Sequence, residues 1–188
     1  AGQTSQAVTL PTSTTNYTFT VAARNKAGWG AESPASAPRR AVNAPGAPTG
    51  LTAATPRNDN TIDVNFGDAP ANGAAASEIR YEYSVDGGGW QGLSGRTITG
   101  VSNAGNHTLR VRAVSQVDGA SYPGEASAAS NAVRPYGPVN RPSGNGNPNG
   151  KNITWSWGTA AENGRPIVRL EVDIPGVGVI DGGSSGSR

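Results

Sequence analysis

Asn106-His107-Thr108-Leu109-Arg110-Val111-Arg112-Ala113-Val114-Ser115 alternates polar and apolar residues, and so does an earlier stretch, Asn16-Tyr17-Thr18-Phe19-Thr20-Val21-Ala22-Ala23-Arg24-Asn25. Such alternation puts one row of side chains on one face of a β-strand. The copies stand about 90 residues apart, a period that marks an array of similar modules.

The repeat extends beyond this strand. Ile62-Asp63-Val64-Asn65-Phe66-Gly67 recurs as Ile153-Thr154-Trp155-Ser156-Trp157-Gly158. Each copy is followed by an Asn-Gly pair, Asn72-Gly73 and Asn163-Gly164, and then by a second alternating strand, Ile79 to Val85 and Ile167 to Val172. The junctions repeat too: Ala41-Val42-Asn43-Ala44-Pro45-Gly46-Ala47-Pro48 parallels Ala132-Val133-Arg134-Pro135-Tyr136-Gly137-Pro138. Proline stiffens these connections and keeps them out of central strand positions.

The modules have thin cores. Aromatic residues are scarce (two Phe, five Tyr, four Trp), so Ala and Val carry the interior. A unit of this size buries little surface and is only just viable alone. With no Cys, the chain has no disulfide, no thiol nucleophile and no Cys-based metal site. No apolar run approaches the roughly 18 residues that span a membrane, so membrane insertion is not expected. The net charge is +2, with basic residues scattered and only Arg39-Arg40 adjacent, which does not support nucleic-acid binding. The chain shows no signal-peptide pattern and reads as a segment of a longer protein.

Strands are expected at Ala7 to Leu10, Tyr17 to Asn25 and near Ser33 to Ala41, and then at 49–54, 61–66, 79–85, 89–91, 96–101, 107–115 and 126–133. Two more are expected at 152–157 and 167–174, before Gly182-Gly183-Ser184-Ser185-Gly186-Ser187 turns linker-like. Asp86-Gly87-Gly88-Gly89 is expected to form a hairpin turn. No stretch has helical periodicity. About seven short strands per module point to a two-sheet sandwich.

With these features the chain resembles the fibronectin type III family. The strand Tyr17, Phe19, Val21, Ala23 is similar to the family's Tyr-x-Phe-x-Val-x-Ala strand; Trp157 stands at its second-strand Trp, with Phe66 as the counterpart. The resemblance implies an all-β chain of tandem immunoglobulin-like β-sandwiches. It divides the chain into 1–43, the C-terminal part of one module; 44–135, a complete module; and 136–188, the N-terminal part of another with a Gly/Ser-rich tail. It also implies that Tyr17 hydrogen-bonds backbone at a corner between the sheets, a place His107 takes in the middle module. Residue usage and Glu162-Asn163-Gly164-Arg165-Pro166-Ile167 resemble repeats of high-GC Gram-positive, including bifidobacterial, extracellular proteins.

Catalysis has little to stand on. His107 is the only histidine and lies in a strand, and no Gly-x-Ser-x-Gly elbow is expected to follow any strand. Glu78, Glu82, Asp86 and Glu125 fall on strands and turns with no cleft to face them across. Glu82, between Tyr81 and Tyr83, is expected on a solvated face. No enzyme activity, cofactor or metal is expected. The Asn-x-Thr triplets at Asn16, Asn106 and Asn152 are incidental, the first two arising from the repeat.

The candidate protein-binding residues are Arg24, Trp29, Glu32, Trp90, Asp118 and Tyr122. Trp29-Gly30-Ala31-Glu32-Ser33 resembles, at Trp29 and Ser33, the Trp-Ser-x-Trp-Ser motif of cytokine receptors, whose Trp rings stack on Arg. Arg24 could supply one such rung. Trp90 is expected as a lid over one end of the core, and Trp157 as core in an intact module, with its face exposed in this chain. The loops near 28–33 and 116–125 are expected at one pole of adjacent modules. The expected function is a non-catalytic extracellular or cell-surface spacer that binds protein, in adhesion or host interaction, with a cytokine as one conceivable partner. The alternative is an accessory spacer of a polysaccharide-degrading enzyme; carbohydrate ranks behind protein as the partner. Self-association through the partial modules is a further expectation.

Overall fold

The computed structural model describes residues 3–57, 59–158 and 160–183. In chain order the strands are β1 Arg24–Asn25, β2 Gly28–Trp29, β3 Thr49–Ala54, β4 Ile62–Gly67, β5 Ile79–Val85, β6 Gln91–Leu93 and β7 Thr97–Ile98. They continue with β8 Leu109–Val117, β9 Ala120–Ala126, β10 Gly144–Asn149, β11 Asn152–Trp157, β12 Leu170–Ile174 and β13 Gly178–Gly183. A three-residue 3-10 turn, Ala76–Glu78, is the one helical element among the described residues. One sheet runs β3-β4-β7 and another β6-β5-β8-β9; β1-β2, β10-β11 and β12-β13 are two-stranded.

By packing, the chain forms two compact units. One holds the described residues through Thr52 together with Asn65–Gly95 and Leu109–Ser130. Here β5 and β8 pair antiparallel with Tyr81 opposite Ala113 and Tyr83 opposite Val111. Leu109, Val111, Ala113 and Val117 are buried on that face. Phe66, at the end of β4, packs edge-on against Tyr81 of β5, with ring centroids 4.9 Å apart. That contact joins the three-stranded sheet to the four-stranded one. The expected fold class, an all-β immunoglobulin-like sandwich, is therefore the one observed. Its core is thin: Phe66 is the one buried aromatic among the described residues, beside Ile, Val, Leu and Ala.

The other unit holds Ala53–Val64, Arg96–Thr108 and the described residues from Asn131 onward. Ile62 pairs with Ile98, and both are buried. In the β10-β11 hairpin Gly146 lies opposite Trp155. A Cβ on Gly146 would stand 2.7 Å from the indole, so glycine lets the ring lie against the strand.

Several expected strands shift. The sixth lies at 91–93 instead of 89–91, and the 96–101 strand shrinks to Thr97–Ile98. The last strand of the sandwich was expected at 126–133, but β9 begins at Ala120, and the expected loop 116–125 is a hairpin. Its turn is Asp118-Gly119, both with positive φ (51° and 81°), the pair that a two-residue hairpin favours. Ala7 to Leu10 forms no strand, and only Arg24–Asn25 of the Tyr17 stretch enters a ladder. The partner segment after Trp29 contains Pro34 and Pro38, which cannot donate to a ladder. Strands β10 and β13 were not expected. Glycine and asparagine fill β10, and β13 runs through Gly182 and Gly183. The remainder of the expected linker, 184–188, lies outside the described residues.

Candidate functional site

Trp29 stands opposite Arg24 across the β1-β2 hairpin. The Arg24 guanidinium carbon lies 5.7 Å from the Trp29 ring centroid, within cation–π range. The hairpin turns at Lys26-Ala27, where Asn25 Oδ1 accepts the Ala27 amide at 2.8 Å, and Gly28 opens β2 with φ 136°. Trp29 is 69% exposed. Glu32 follows it and accepts a bond from the Thr20 hydroxyl at 3.1 Å. Arg24 and Trp29 thus share one exposed hairpin, and Glu32 follows it in sequence, tied to Thr20.

Trp90 lies elsewhere and is no lid. It is half-buried, and Arg112 of β8 stacks 4.4 Å from its centroid. Arg112 also donates to Glu82 at 2.8 Å. Glu82 and Arg112 are cross-strand partners on the face opposite Tyr81 and Val111. Trp90 therefore covers the outer face of the four-stranded sheet. Alternation placed Glu82 outward correctly but could not reveal its guanidinium partner. Tyr122 is half-buried opposite Ser115, whose side chain is interior. Asp118 occupies the β8-β9 turn with a carboxylate oxygen 4.0 Å from Arg40. The six candidates are thus divided between the β1-β2 hairpin and the four-stranded sheet.

The tyrosine-corner expectation is met in both copies. Tyr17 donates its hydroxyl to the Pro11 carbonyl at 3.2 Å. His107 places Nε2 2.8 Å from the Ser102 carbonyl, and because a carbonyl only accepts, Nε2 carries the proton in that bond. His107 pairs with Val133 as Tyr17 pairs with Arg39. Among the described residues no group of three or more His, Asp or Glu gathers to hold a metal. Glu78 is held by Arg40 at 2.9 Å, Asp86 sits in a turn with φ 50°, and Glu125 is exposed on β9.

A repeated feature escaped the sequence reading. The Ser127 amide donates to the Val111 carbonyl while the Val111 amide donates to Ser127 Oγ. Ser130 does the same with Leu109. Ser33 and Val21, and Ser36 and Phe19, repeat the arrangement. The signal is Ser-x-x-Ser in both copies, at 33–36 and 127–130. Each hydroxyl stands where a ladder carbonyl would otherwise accept.

Equivalent positions differ in burial. Phe19 and Val21 are 43% and 72% exposed, whereas Leu109 and Val111 are fully buried. Ile153 and Trp155 are 70% and 42% exposed, whereas Ile62 and Val64 are buried. Trp155 and Ile153 line a groove of about 340 Å³ with Val172, Asp173, Ile174 and Pro175.

Charge is also organised on the surface of β4. Arg57 donates to Asp63 at 2.8 Å and to Asp59 at 3.1 Å, and the Thr97 hydroxyl donates to Asp63 at 2.8 Å. Hydrogen bonds from Arg57 and then Thr97 hold the Asp63 carboxyl below the usual carboxylate range. The Thr61 hydroxyl, and then Arg57, lower Asp59 likewise.

No family model matches the chain, and no curated protein matches it. Solved structures do, among them a crystal structure of the FN1–FN3 domains of chicken CNTN1. The chain is 14% identical to it, with a TM-score of 0.40, over 94% of this chain and 65% of that one. The chain's own three-plus-four strand arrangement and repeated corner bonds define a fibronectin type III-like, immunoglobulin-like fold. Among the described residues no helix is long and apolar enough to cross a membrane.

Proposed function

We propose that this chain is a non-catalytic repeat segment of an extracellular or cell-surface protein, of bacterial type, serving as a spacer and as a protein-binding surface. The observation that carries the reading is the exposed Trp29 ring, stacked on Arg24. An exposed aromatic ring paired with an arginine has the chemistry of interface hot spots. Adhesion or binding of an extracellular host protein, a cytokine included, follows from the receptor-like placement of Trp29 and Ser33. Residues 44–135 form the complete module under this reading, with partial modules on either side, which accounts for the bare apolar faces at Phe19, Val21, Ile153 and Trp155.

The test is capture by the immobilised chain from a panel of extracellular host proteins and a panel of polysaccharides. Protein capture that falls at least tenfold in Trp29→Ala supports the reading. Polysaccharide capture unaffected by Trp29→Ala overturns it in favour of an enzyme's accessory module.

A further inference from the structure

One Pro-rich junction enters the sandwich at Ala41–Ala47 and another leaves it at Val133–Pro138, and different chemistry holds each. At the first, Arg40 presents both terminal nitrogens to Glu78, one of them at 2.9 Å, with side chains only 13% and 24% exposed. Asp118 stands 4.0 Å from the same guanidinium. Glu78 is steadied by the Ala75 amide at 2.8 Å. The neighbouring bases are turned to carbonyls: Arg39 to Pro38, and Arg80 to Ser77 and Ile79.

At the second junction Arg134 donates to the Asn103 carbonyl at 2.8 Å. Between Gly164 and Leu170 the chain reads Arg165-Pro166-Ile167-Val168-Arg169; Arg169 pairs with Glu171 two residues on, at 3.1 Å, and not with the junction. Arg165 stacks instead over the Tyr136 ring, 4.7 Å from its centroid. Both junctions keep the uncharged hydrogen bonds of the Asn-Gly turn.

We propose that the first junction is a charge-locked hinge, with Arg40 as the latch and Glu78 and Asp118 as the catch, and that the second is closed, among the described residues, without an ion pair across it. This goes beyond the binding function proposed above and does not depend on it. A bidentate, partly buried pair is strong and directional, so removing one partner leaves the other charge uncompensated. Freed of the latch, Ala41–Gly46 swings on its remaining backbone bonds. The hairpin carrying Trp29 is upstream of that hinge, so its orientation follows the latch.

Amide hydrogen exchange on the full labelled chain tests this, read as protection at matched pH. The reporters are Asn43 and Gly46, which donate to Asn72 and Pro70, against Gly137, which donates to Asn163. Val111, bonded to Ser127, monitors the fold. Arg40→Gln and Glu78→Gln are each expected to lower protection at Asn43 and Gly46 about tenfold while Gly137 and Val111 stay unchanged. The exchange-of-charge variant Arg40→Glu with Glu78→Arg is expected to restore it. Unchanged protection at Asn43 and Gly46 in Arg40→Gln overturns the proposal, as does a parallel fall at Gly137. Should Val111 also fall, the charge-exchange variant decides: recovery supports the latch, and no recovery overturns it.

Discussion

The Asn72 side-chain amide donates to the Ala44 carbonyl at 2.8 Å, hooking the loop after β4 onto the junction that leads into the sandwich. The Asn72 carbonyl accepts the Asn43 amide in return, at 3.0 Å. Asn163 repeats both bonds, with Pro138 and Gly137. Asn72 and Asn163 both adopt positive φ, 48° and 44°, which asparagine tolerates better than most residues. The Asn-Gly pairs and the Pro-rich junctions are therefore two halves of one repeated clasp.

The glycine of that clasp is required by geometry. Gly73 has φ 97°, and a Cβ there would stand 2.7 Å from the Ala41 carbonyl. Gly73→Ala is expected to destabilise the protein by on the order of 1–3 kcal/mol, read as a lower urea midpoint with an unchanged slope.

Two buried serines should respond in opposite directions. Ser127 Oγ accepts the Val111 amide, so Ser127→Ala orphans a buried donor and should cost about 1–3 kcal/mol. Ser115 Oγ is buried with no hydrogen-bond partner, so Ser115→Ala is expected to raise stability by about 1 kcal/mol. Urea melts of the two variants side by side check both signs.

One repeat position tests the division into complete and partial modules. Ile62 is fully buried, and Ile62→Ala should cost about 2–5 kcal/mol. Ile153, its counterpart, is exposed, and Ile153→Ala should stay within about 0.5 kcal/mol. If the partial modules of neighbouring chains cover each other, light scattering will show mass rising with concentration, and Val21→Asp will abolish that rise. A monomeric mass throughout removes self-association from the proposal.

Acid should weaken the fold through a few identifiable carboxylates. Glu78 is lowered by hydrogen bonds from Arg40 and then from the Ala75 amide, and Asp63 chiefly by Arg57. A carboxyl that is more acidic folded than unfolded stabilises fully above its unfolded pKa, and that contribution disappears as pH falls through the folded value. Urea midpoints should therefore hold steady from neutral pH down to the ordinary carboxylate range and drop below it. The Glu78→Gln, Asp63→Asn double variant should start lower and fall less steeply.

Sequence reading reached the repeat and the fold class because alternation records which face is buried. Ile62, Val64 and Phe66 point inward as their spacing requires. It offered Arg24 as a partner for Trp29 through the resemblance to the receptor motif, and the two are cross-strand neighbours over a short turn. It mistook 116–125 for a loop because Pro123 and Gly124 weaken a strand pattern, although Asp118-Gly119 carries a hairpin signal. It took Trp90 as a lid over one end of the core because hydrophobicity does not reveal that Arg112 lies over the ring. The Arg40–Glu78 pair joins residues 38 positions apart, and no local pattern encodes such a contact.

The contact between Phe66 and Tyr81 is the most direct measure of the account, because it exists only if two sheets face each other over one core. A nuclear Overhauser experiment on the labelled chain should show ring-to-ring cross-peaks between these residues, together with β-strand chemical shifts through Leu109–Val117. Absence of those cross-peaks with helical shifts over the same residues would contradict it.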